Sequence, residues 1–207
     1  MIVVGVDASL SCSGFAIAGP DGDGGHELLY VSSVKTEPLG PRPTVRERSI
    51  RVRSIVRAWH AVLDVADDRA LSALVSTPLV AIESKDFTAP REQAGHAHDR
   101  AWLWGQLVDV AFGRAYDVVS IAPGTLKIYA TGNGRASKEA VVEAVTQRYQ
   151  SVANDDEADA VVLAAMTMDA MGYPLAAVPD THTRTLDATR WPVSWRAATY
   201  PEGTTTP

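Results

Sequence analysis

Two acidic residues of the sequence each follow an apolar, β-branched run. Asp7 ends the run at residues 2–6, and Glu83 ends the run at residues 79–82. Runs of this composition are typical of strands that are buried on both faces. A carboxylate at such a place needs a partner or a cation, because burying an unpaired charge costs free energy. For Asp7 a simpler role also fits this stretch alone: it would end the strand and accept hydrogen bonds from the Ser- and Gly-rich turn that follows.

Two further acids, Asp156 and Asp159, lie in a helix that the sequence predicts from about residue 154 to 171. Acids in the first turn are favoured by the helix dipole, which explains residues 155–157 without any function. Asp159, however, precedes apolar residues by three, four and seven positions and therefore lies on the apolar stripe. Asp156 shares that face. A metal site is the favoured interpretation, and a well-hydrogen-bonded cap is the alternative.

Together these four acids predict a binding site for divalent metal ions. The set offers oxygen ligands without a His or Cys partner, which suits Mg²⁺ or Mn²⁺ far better than zinc. Two such ions about 4 Å apart can activate a water molecule and stabilise the leaving oxygen of a phosphodiester. We expect two ions per site, with Asp7 on the central strand bridging them.

The elements that must position these acids follow an α/β pattern. The first three predicted strands, at residues 2–7, 15–18 and 28–34, are joined by short turns and form an antiparallel meander. Thr44 and Glu47 form a predicted capping box for a helix that ends near Asp67. Further strands are predicted at 79–83 and 117–121, and helices at 91–114, 125–130 and 138–149. Beyond residue 172 the sequence predicts an extended tail, which Trp191 and Trp195 would fix to the protein.

Composition limits the class of protein. The 207 residues, 46% hydrophobic and 21% charged, suit one substantial globular domain. The single cysteine, Cys12, excludes an internal disulfide and suits a reducing cytoplasm. No apolar run is long enough to span a bilayer, and no signal peptide is expected.

The charge distribution matters for nucleic-acid binding. A formal net charge of -6 argues mildly against it, because phosphate contacts need Lys and Arg. Residues 42–57 nevertheless contain six arginines and one acid. This segment is either a solvated helix face or a phosphate-binding face, and the sequence supports both interpretations.

Several motifs, taken in order, resemble those of the RuvC-type Holliday junction resolvases. They are GVD at residues 5–7 with the hairpin after it, AIE at 81–83 and DEADA at 156–160. Residues 123–127 and 132–138 resemble the family's stretch before its last acidic pair, particularly in members from phages and related elements. Each motif is weak alone, but their order and spacing over residues 2–171 make the resemblance fairly specific.

The resemblance implies an RNase H-like fold over residues 1–171. Its mixed five-stranded sheet has three antiparallel strands followed by two parallel strands, with helices on both sides. Residues 172–207 would be a C-terminal extension packed on the domain or on a partner. Members of the family act as homodimers that cut two opposed strands of a four-way DNA junction.

The resemblance also implies roles for individual residues. Asp7, Glu83, Asp156 and Asp159 would be metal ligands and catalytic residues, and Lys138 would lie beside the scissile phosphate. Phe87 resembles an aromatic residue that wedges into the junction, although it lies one residue further from the second acid than the family pattern. The turn after the first acid also lacks the family's usual Pro-Gly. The remaining predicted DNA contacts are Lys85, Arg46, Arg53, Lys127 and Arg135.

The functional hypothesis is therefore a Mg²⁺-dependent endonuclease for four-way DNA junctions that acts as a homodimer, without a membrane or a small-molecule cofactor. One alternative is a nuclease for flaps, replication forks or RNA–DNA hybrids, and another is a non-catalytic junction-binding protein. An actin-like or sugar-kinase ATPase, whose first strand also ends in Asp, is less favoured because the chain has no room for a second copy of that fold.

Overall fold

The protein folds around one mixed five-stranded sheet with helices on both sides. The computed structural model describes residues 1–73, 78–84 and 94–192, with side chains from residue 97 in the last range. The elements are β1 (Val3–Asp7), β2 (Cys12–Pro20), β3 (His26–Lys35), α1 (Val45–Ser72), β4 (Leu79–Glu83), α2 (Ala94–Gly113), β5 (Asp117–Ile121), α3 (Pro123–Thr131), α4 (Lys138–Arg148), α5 (Asp155–Ala170) and α6 (Asp180–Ala188).

The strands lie in the order β3-β2-β1-β4-β5. β1 pairs antiparallel with β2 and parallel with β4, β2 pairs antiparallel with β3, and β4 pairs parallel with β5. The predicted α/β fold, with three antiparallel strands followed by two parallel strands, is confirmed. β1 is the central strand, so its last residue lies in the middle of one edge of the sheet.

Alternate residues of the central strand serve two separate cores. Val4 and Val6 face the layer formed by α1 and α2. Val3 faces the layer formed by α3, α4 and α5. Because side chains alternate along a strand, Asp7 points to the same side as Val3, toward the α5 layer.

The helix α1 begins as its sequence predicts. Thr44 Oγ1 accepts a hydrogen bond from the Glu47 backbone N–H, and the Glu47 carboxylate accepts one from the Thr44 N–H. The buried Trp59 stacks on Phe15 of β2, with ring centroids 5.7 Å apart. The helix continues to Ser72, past the predicted end near residue 67, because its buried face extends through residue 70.

Two predicted starts are late by a few residues. β2 begins at Cys12 rather than Phe15, because residues 12–14 already pair with β3. The helix α3 begins at Pro123 rather than Thr125. Proline is well suited to the first turn, where its missing N–H would have no partner within the helix.

The predicted extended tail is wrong for residues 180–188, which form α6. Its Leu186 packs against the core on the α5 side, together with Leu175 and Val178 of the preceding segment. The predicted attachment through Trp191 is confirmed, since its ring packs on the same core and its Nε1 donates to the Leu186 carbonyl over 2.8 Å. Trp195 lies outside the described residues, and the domain boundary at residue 171 stays a prediction.

Over the described ranges, no helix is both long enough and apolar enough to cross a bilayer.

Candidate active site

Asp7 and Glu83 are neighbours at the end of two parallel strands. Val6 of β1 is in register with Ile82 of β4, so the two acids occupy the next position along both strands. Leu79 and Ala81 of β4 face the α5 layer, and Glu83 therefore points to the same side as Asp7. Both acids are buried, with 6% and 8% of their surface exposed.

Two glycines let α5 lie directly on the sheet beside these acids. A Cβ atom at Gly5 would lie 2.1 Å from the carbonyl oxygen of Ala160, and one at Gly14 would lie 1.9 Å from that of Asp156. Gly14 is also the β2 partner of Asp7. The first turn of α5 is thereby held over the end of β1. The sequence indicated Gly14 only as part of the hairpin, because nothing in its local pattern announces a helix against it.

Electrostatic coupling connects all four acids. Burial, together with repulsion from Asp7 and Asp155, raises the pKa of Asp156 to about 6. Burial, together with repulsion from Asp7 and Glu83, raises the pKa of Asp159 to about 7. The structure thus brings the four predicted acids together at one edge of the sheet.

The carboxylate oxygens of these four acids are ligands that suit a hard divalent cation, but they are not arranged as a complete coordination shell. Within residues 1–73, 78–84 and 94–192, no three His, Cys, Asp or Glu side chains are arranged to hold a metal ion together. The raised pKa values of Asp156 and Asp159 show that negative charge is accumulated here, and a divalent cation would offset it.

Lys138 lies at the rim of this acid cluster. Its Nζ donates to the carboxylate of Asp155, and 69% of the lysine side chain is exposed. This hydrogen bond lowers the pKa of Asp155 and raises the pKa of Lys138. Asp156 and Asp159 also attract the ammonium group. Lys138 therefore lies beside the predicted metal ligands, but its ion pair is with Asp155, which is not one of them.

The predicted DNA contacts lie on several different elements. Lys127 Nζ donates to the Ala136 carbonyl over 2.9 Å, which fixes the loop between α3 and α4. Arg135, in that same loop, is exposed, as are Arg46 and Arg53 on α1. Lys85 and Phe87 lie outside the described residues.

One end of α1 is tied to the turn that follows Asp7. Arg51 Nε donates to the Leu10 carbonyl over 2.9 Å and to Thr36 Oγ1 over 2.8 Å. Because Leu10 follows Asp7 by three residues, the N-terminal half of α1 lies at the edge of the sheet that carries the acids.

Cys12 was not predicted to belong to the site. It points to the α5 side of β2, two residues before Gly14, and is buried. Burial and a hydrogen bond to Asp156 raise the pKa of its thiol to about 11. The thiol therefore stays protonated and donates to Asp156, which counteracts part of the rise in the pKa of that carboxyl. Its place opposite the end of β1 in the hairpin was the only available signal.

This chain matches known proteins by its structure but not by its sequence. No protein-family model matches the chain, and no curated protein matches it. Among solved structures, Thermus thermophilus RuvC has a TM-score of 0.56 at 24% identity, covering 86% of this chain and 100% of that chain. Its complex with a Holliday junction substrate gives 0.58 at 23% identity, over 86% and 99%. The chain has the RuvC fold.

A second solved structure extends this likeness. The yeast mitochondrial Holliday junction resolvase Ydc2 has a TM-score of 0.50 at 13% identity, covering 90% of this chain and 78% of that chain. The predicted RuvC resemblance and RNase H-like architecture are confirmed at the level of the fold. In the RuvC fold of this chain, β1, β4 and α5 carry the acids.

The glycine contacts generate the first prediction. We expect Gly14→Ala to reduce the free energy of unfolding by about 2–3 kcal/mol, because the new methyl group meets the backbone of α5, which has no alternative rotamer. Urea unfolding followed by circular dichroism measures this. Gly105→Ala is the matched control: Gly105 is an exposed helix residue with open space around it, and alanine there should leave stability unchanged or raise it by about 0.5–1 kcal/mol. Equal stability of both variants would contradict the proposed contact.

The raised pKa of Asp159 generates the second prediction. Its carboxyl titrates near 7 in the folded protein against an ordinary 3.8, so the native state holds the proton more tightly. The stability this provides is complete below about pH 4 and is lost as the pH rises through 7. In EDTA, Asp159→Asn should gain about 1–3 kcal/mol of stability relative to wild type between pH 5 and pH 8. Urea unfolding at both pH values measures the difference, and Asp187→Asn, at an exposed acid of α6, is the control. A constant difference between Asp159→Asn and wild type would refute the burial of this charge among other acids.

Proposed function

We propose that this protein is a divalent-metal-dependent endonuclease that resolves four-way DNA junctions by paired phosphodiester hydrolysis. The observation that supports it most is the meeting of four acids, from β1, β4 and α5, at one edge of a RuvC fold. The structures with the same fold include RuvC in complex with a Holliday junction substrate, which suggests the class of DNA. A cytoplasmic location suits the single buried cysteine.

In this proposal Asp7, Glu83, Asp156 and Asp159 hold two Mg²⁺ or Mn²⁺ ions. When bound, such ions activate water and stabilise the leaving oxygen of a phosphodiester. Asp7 lies between Glu83 on one side and the first turn of α5 on the other, so it is the acid best placed to serve both ions. The electrostatic coupling of Asp7 to both α5 acids supports this assignment.

Lys138 supplies positive charge at the rim. Its ion pair with Asp155 holds the ammonium group close to the acid cluster, and its exposed side chain is accessible to a phosphate. We assign to it the stabilisation of the negative charge that develops on the scissile phosphate. Exchange of Asp155 for a phosphate oxygen would keep the lysine paired throughout.

An arginine stripe on α1, formed by Arg46, Arg53 and Arg57, is assigned to the DNA backbone. The three residues are seven and four positions apart and are exposed along one face of the helix. At about 1.5 Å of rise per residue, the first two lie about 10 Å apart along the axis. This concentration of positive charge contrasts with the net charge of -6 for the whole chain.

Two other arginines of α1, Arg48 and Arg51, are not part of the stripe because they bind groups within the protein. Arg48 binds the buried carboxylate of Asp99 through its Nη1, over 3.0 Å, and so joins α1 to α2. Arg51 holds the turn after Asp7. These two residues stabilise the fold, and Arg51 ties the N-terminal half of α1 to the turn after Asp7. Contacts of Arg135, Lys127, Lys85 and Phe87 with DNA stay predictions.

Two cuts in opposed strands require two sites with a fixed relation. A symmetric homodimer provides that relation, because a two-fold axis repeats one site on the opposite strand. We therefore include a homodimer in the proposal.

Two other functions are compatible with the same fold. A non-catalytic junction-binding protein is the second candidate, because in the described part of the chain no three acids form a ready metal centre. A nuclease for flaps, forks or RNA–DNA hybrids would use the same acids on another substrate. Cleavage of a substrate panel separates these functions from junction resolution.

The third prediction concerns catalysis. A synthetic four-way junction, labelled on two opposed strands, should be cut in Mg²⁺ and remain intact in EDTA. Asp7→Asn should reduce the rate by at least about 100-fold, because it removes a charged ligand, while the affinity for the junction changes little. Asp187→Asn should cleave like wild type. Full cleavage by Asp7→Asn would refute the metal site, and cleavage of forks or hybrids but not of junctions would refute the substrate.

The fourth prediction concerns the arginine stripe. Each phosphate contact contributes about 0.9 to the slope of log affinity against log salt concentration. Arg46→Ala with Arg53→Ala should therefore lower that slope by about 2 and weaken junction binding in low salt. Fluorescence anisotropy across a salt series measures both quantities. Arg184→Ala, an exposed arginine of α6, is the control. An unchanged slope in the double variant would exclude the stripe from the DNA interface.

A further inference from the structure

Glu157 is an acid that the proposed site does not use. It lies between Asp156 and Asp159 in the sequence, yet its side chain is turned toward β3 and is only 9% exposed. One carboxylate oxygen accepts a hydrogen bond from Ser33 Oγ over 2.8 Å, and the other accepts one from the Ala153 backbone N–H over 2.8 Å. Both donors are neutral groups, and the carboxyl lies at the N-terminus of α5, where the helix dipole favours an acidic side chain.

Asn154 closes this contact into a ring. Its Oδ1 accepts a hydrogen bond from the Glu157 backbone N–H over 2.9 Å, and its Nδ2 donates to Ser33 Oγ over 2.9 Å. The Ser33 hydroxyl therefore accepts from Asn154 and donates to Glu157. We refer to Ser33, Asn154 and Glu157 as the α5 clamp.

The clamp is fixed to the same row of the sheet as the first acid. Ser33 of β3 pairs with Gly14 of β2, and Gly14 pairs with Asp7 of β1. The carbonyl of Asp156 lies against Gly14, in the middle of this row. The row is thus bonded at its β3 end to the first turn of α5 and carries Asp7 at its β1 end.

We propose that the α5 clamp positions Asp156 and Asp159 against Asp7 and thereby sets the affinity of the site for its divalent ion. This inference rests on the proposed metal site. The glycines determine how close α5 lies to the sheet, but a flat contact lets a helix slide or turn. The clamp bonds its first turn to β3, which removes that freedom. Its residues are positioning residues, because their polar atoms bond to one another and to Ala153.

Two variants test the clamp. Glu157→Gln keeps one acceptor oxygen but replaces the other by an amide donor, so one of its two bonds is lost. Ser33→Ala removes the hydroxyl that joins the other two residues. Mn²⁺ binding is measured by the electron paramagnetic resonance of free Mn²⁺, without DNA. Both variants should raise the Mn²⁺ dissociation constant by about tenfold or more, as loss of a residue that orients a metal ligand does. In cleavage, half-saturation by Mn²⁺ should rise likewise, with kcat at saturating metal within a few-fold of wild type.

A stability-matched variant separates positioning from folding. Asp67 accepts hydrogen bonds from Arg114 and Tyr116 near the other end of α1, about 24 Å along the helix from Arg51. Asp67→Asn should destabilise the protein in urea and leave Mn²⁺ affinity unchanged. If the clamp variants lose stability in the same way without any change in Mn²⁺ affinity, the clamp is only structural and the inference is wrong.

The same measurement distinguishes this inference from the proposed function. Wild type that binds Mn²⁺ but cleaves no tested DNA refutes the nuclease, while the clamp variants still decide the inference. Wild type that binds no Mn²⁺ at all refutes both, because the clamp then positions no metal ligand.

Discussion

The close contact between α5 and the central strands determines both the packing of the core and the position of the acids. Eleven of the sixteen residues of α5 are buried, and its backbone lies on Gly5 and Gly14 at distances that exclude any other side chain there. The contact serves packing and chemistry together, because the first two turns of α5 carry Asp156 and Asp159 over the end of β1. A change that loosens the core there also disperses the acids.

This arrangement unites parts of the chain that are far apart in sequence. Asp7 and Glu83 are 76 residues apart in the sequence, on strands whose order in the sheet depends on the whole topology, and α5 begins 72 residues after Glu83. The two acids of the strands are like charges on neighbouring strands, and like charges close together repel each other. Packing energy from α5 brings two more acids into the same region, which is costly unless a cation joins them.

The parts that could be predicted from sequence are those with a local cause. Buried strands were visible as apolar runs, caps as Thr44 with Glu47, and the inward acid of α5 from its spacing to apolar residues. Contacts between distant segments were not visible. Three of these contacts depend on tertiary neighbours. They are the contact of α5 with Gly14, the hydrogen bond from Arg51 to the turn after β1, and the packing of Leu186 in α6. The role of Glu157 was hidden for the same reason: the helix dipole accounts for an acid in a first turn, whichever way its side chain points.

The acid cluster makes Cys12 chemically inert. Oxidants and alkylating agents react with the thiolate, so a cysteine is a point of attack where nearby positive charge lowers its pKa. Here the surrounding negative charge and burial keep the proton on sulfur, with a pKa of about 11. The residue thus adds a polarisable, neutral hydrogen-bond donor without adding a redox switch. The acids that crowd this edge of the sheet protect the one cysteine of the chain from the chemistry that cysteines usually undergo.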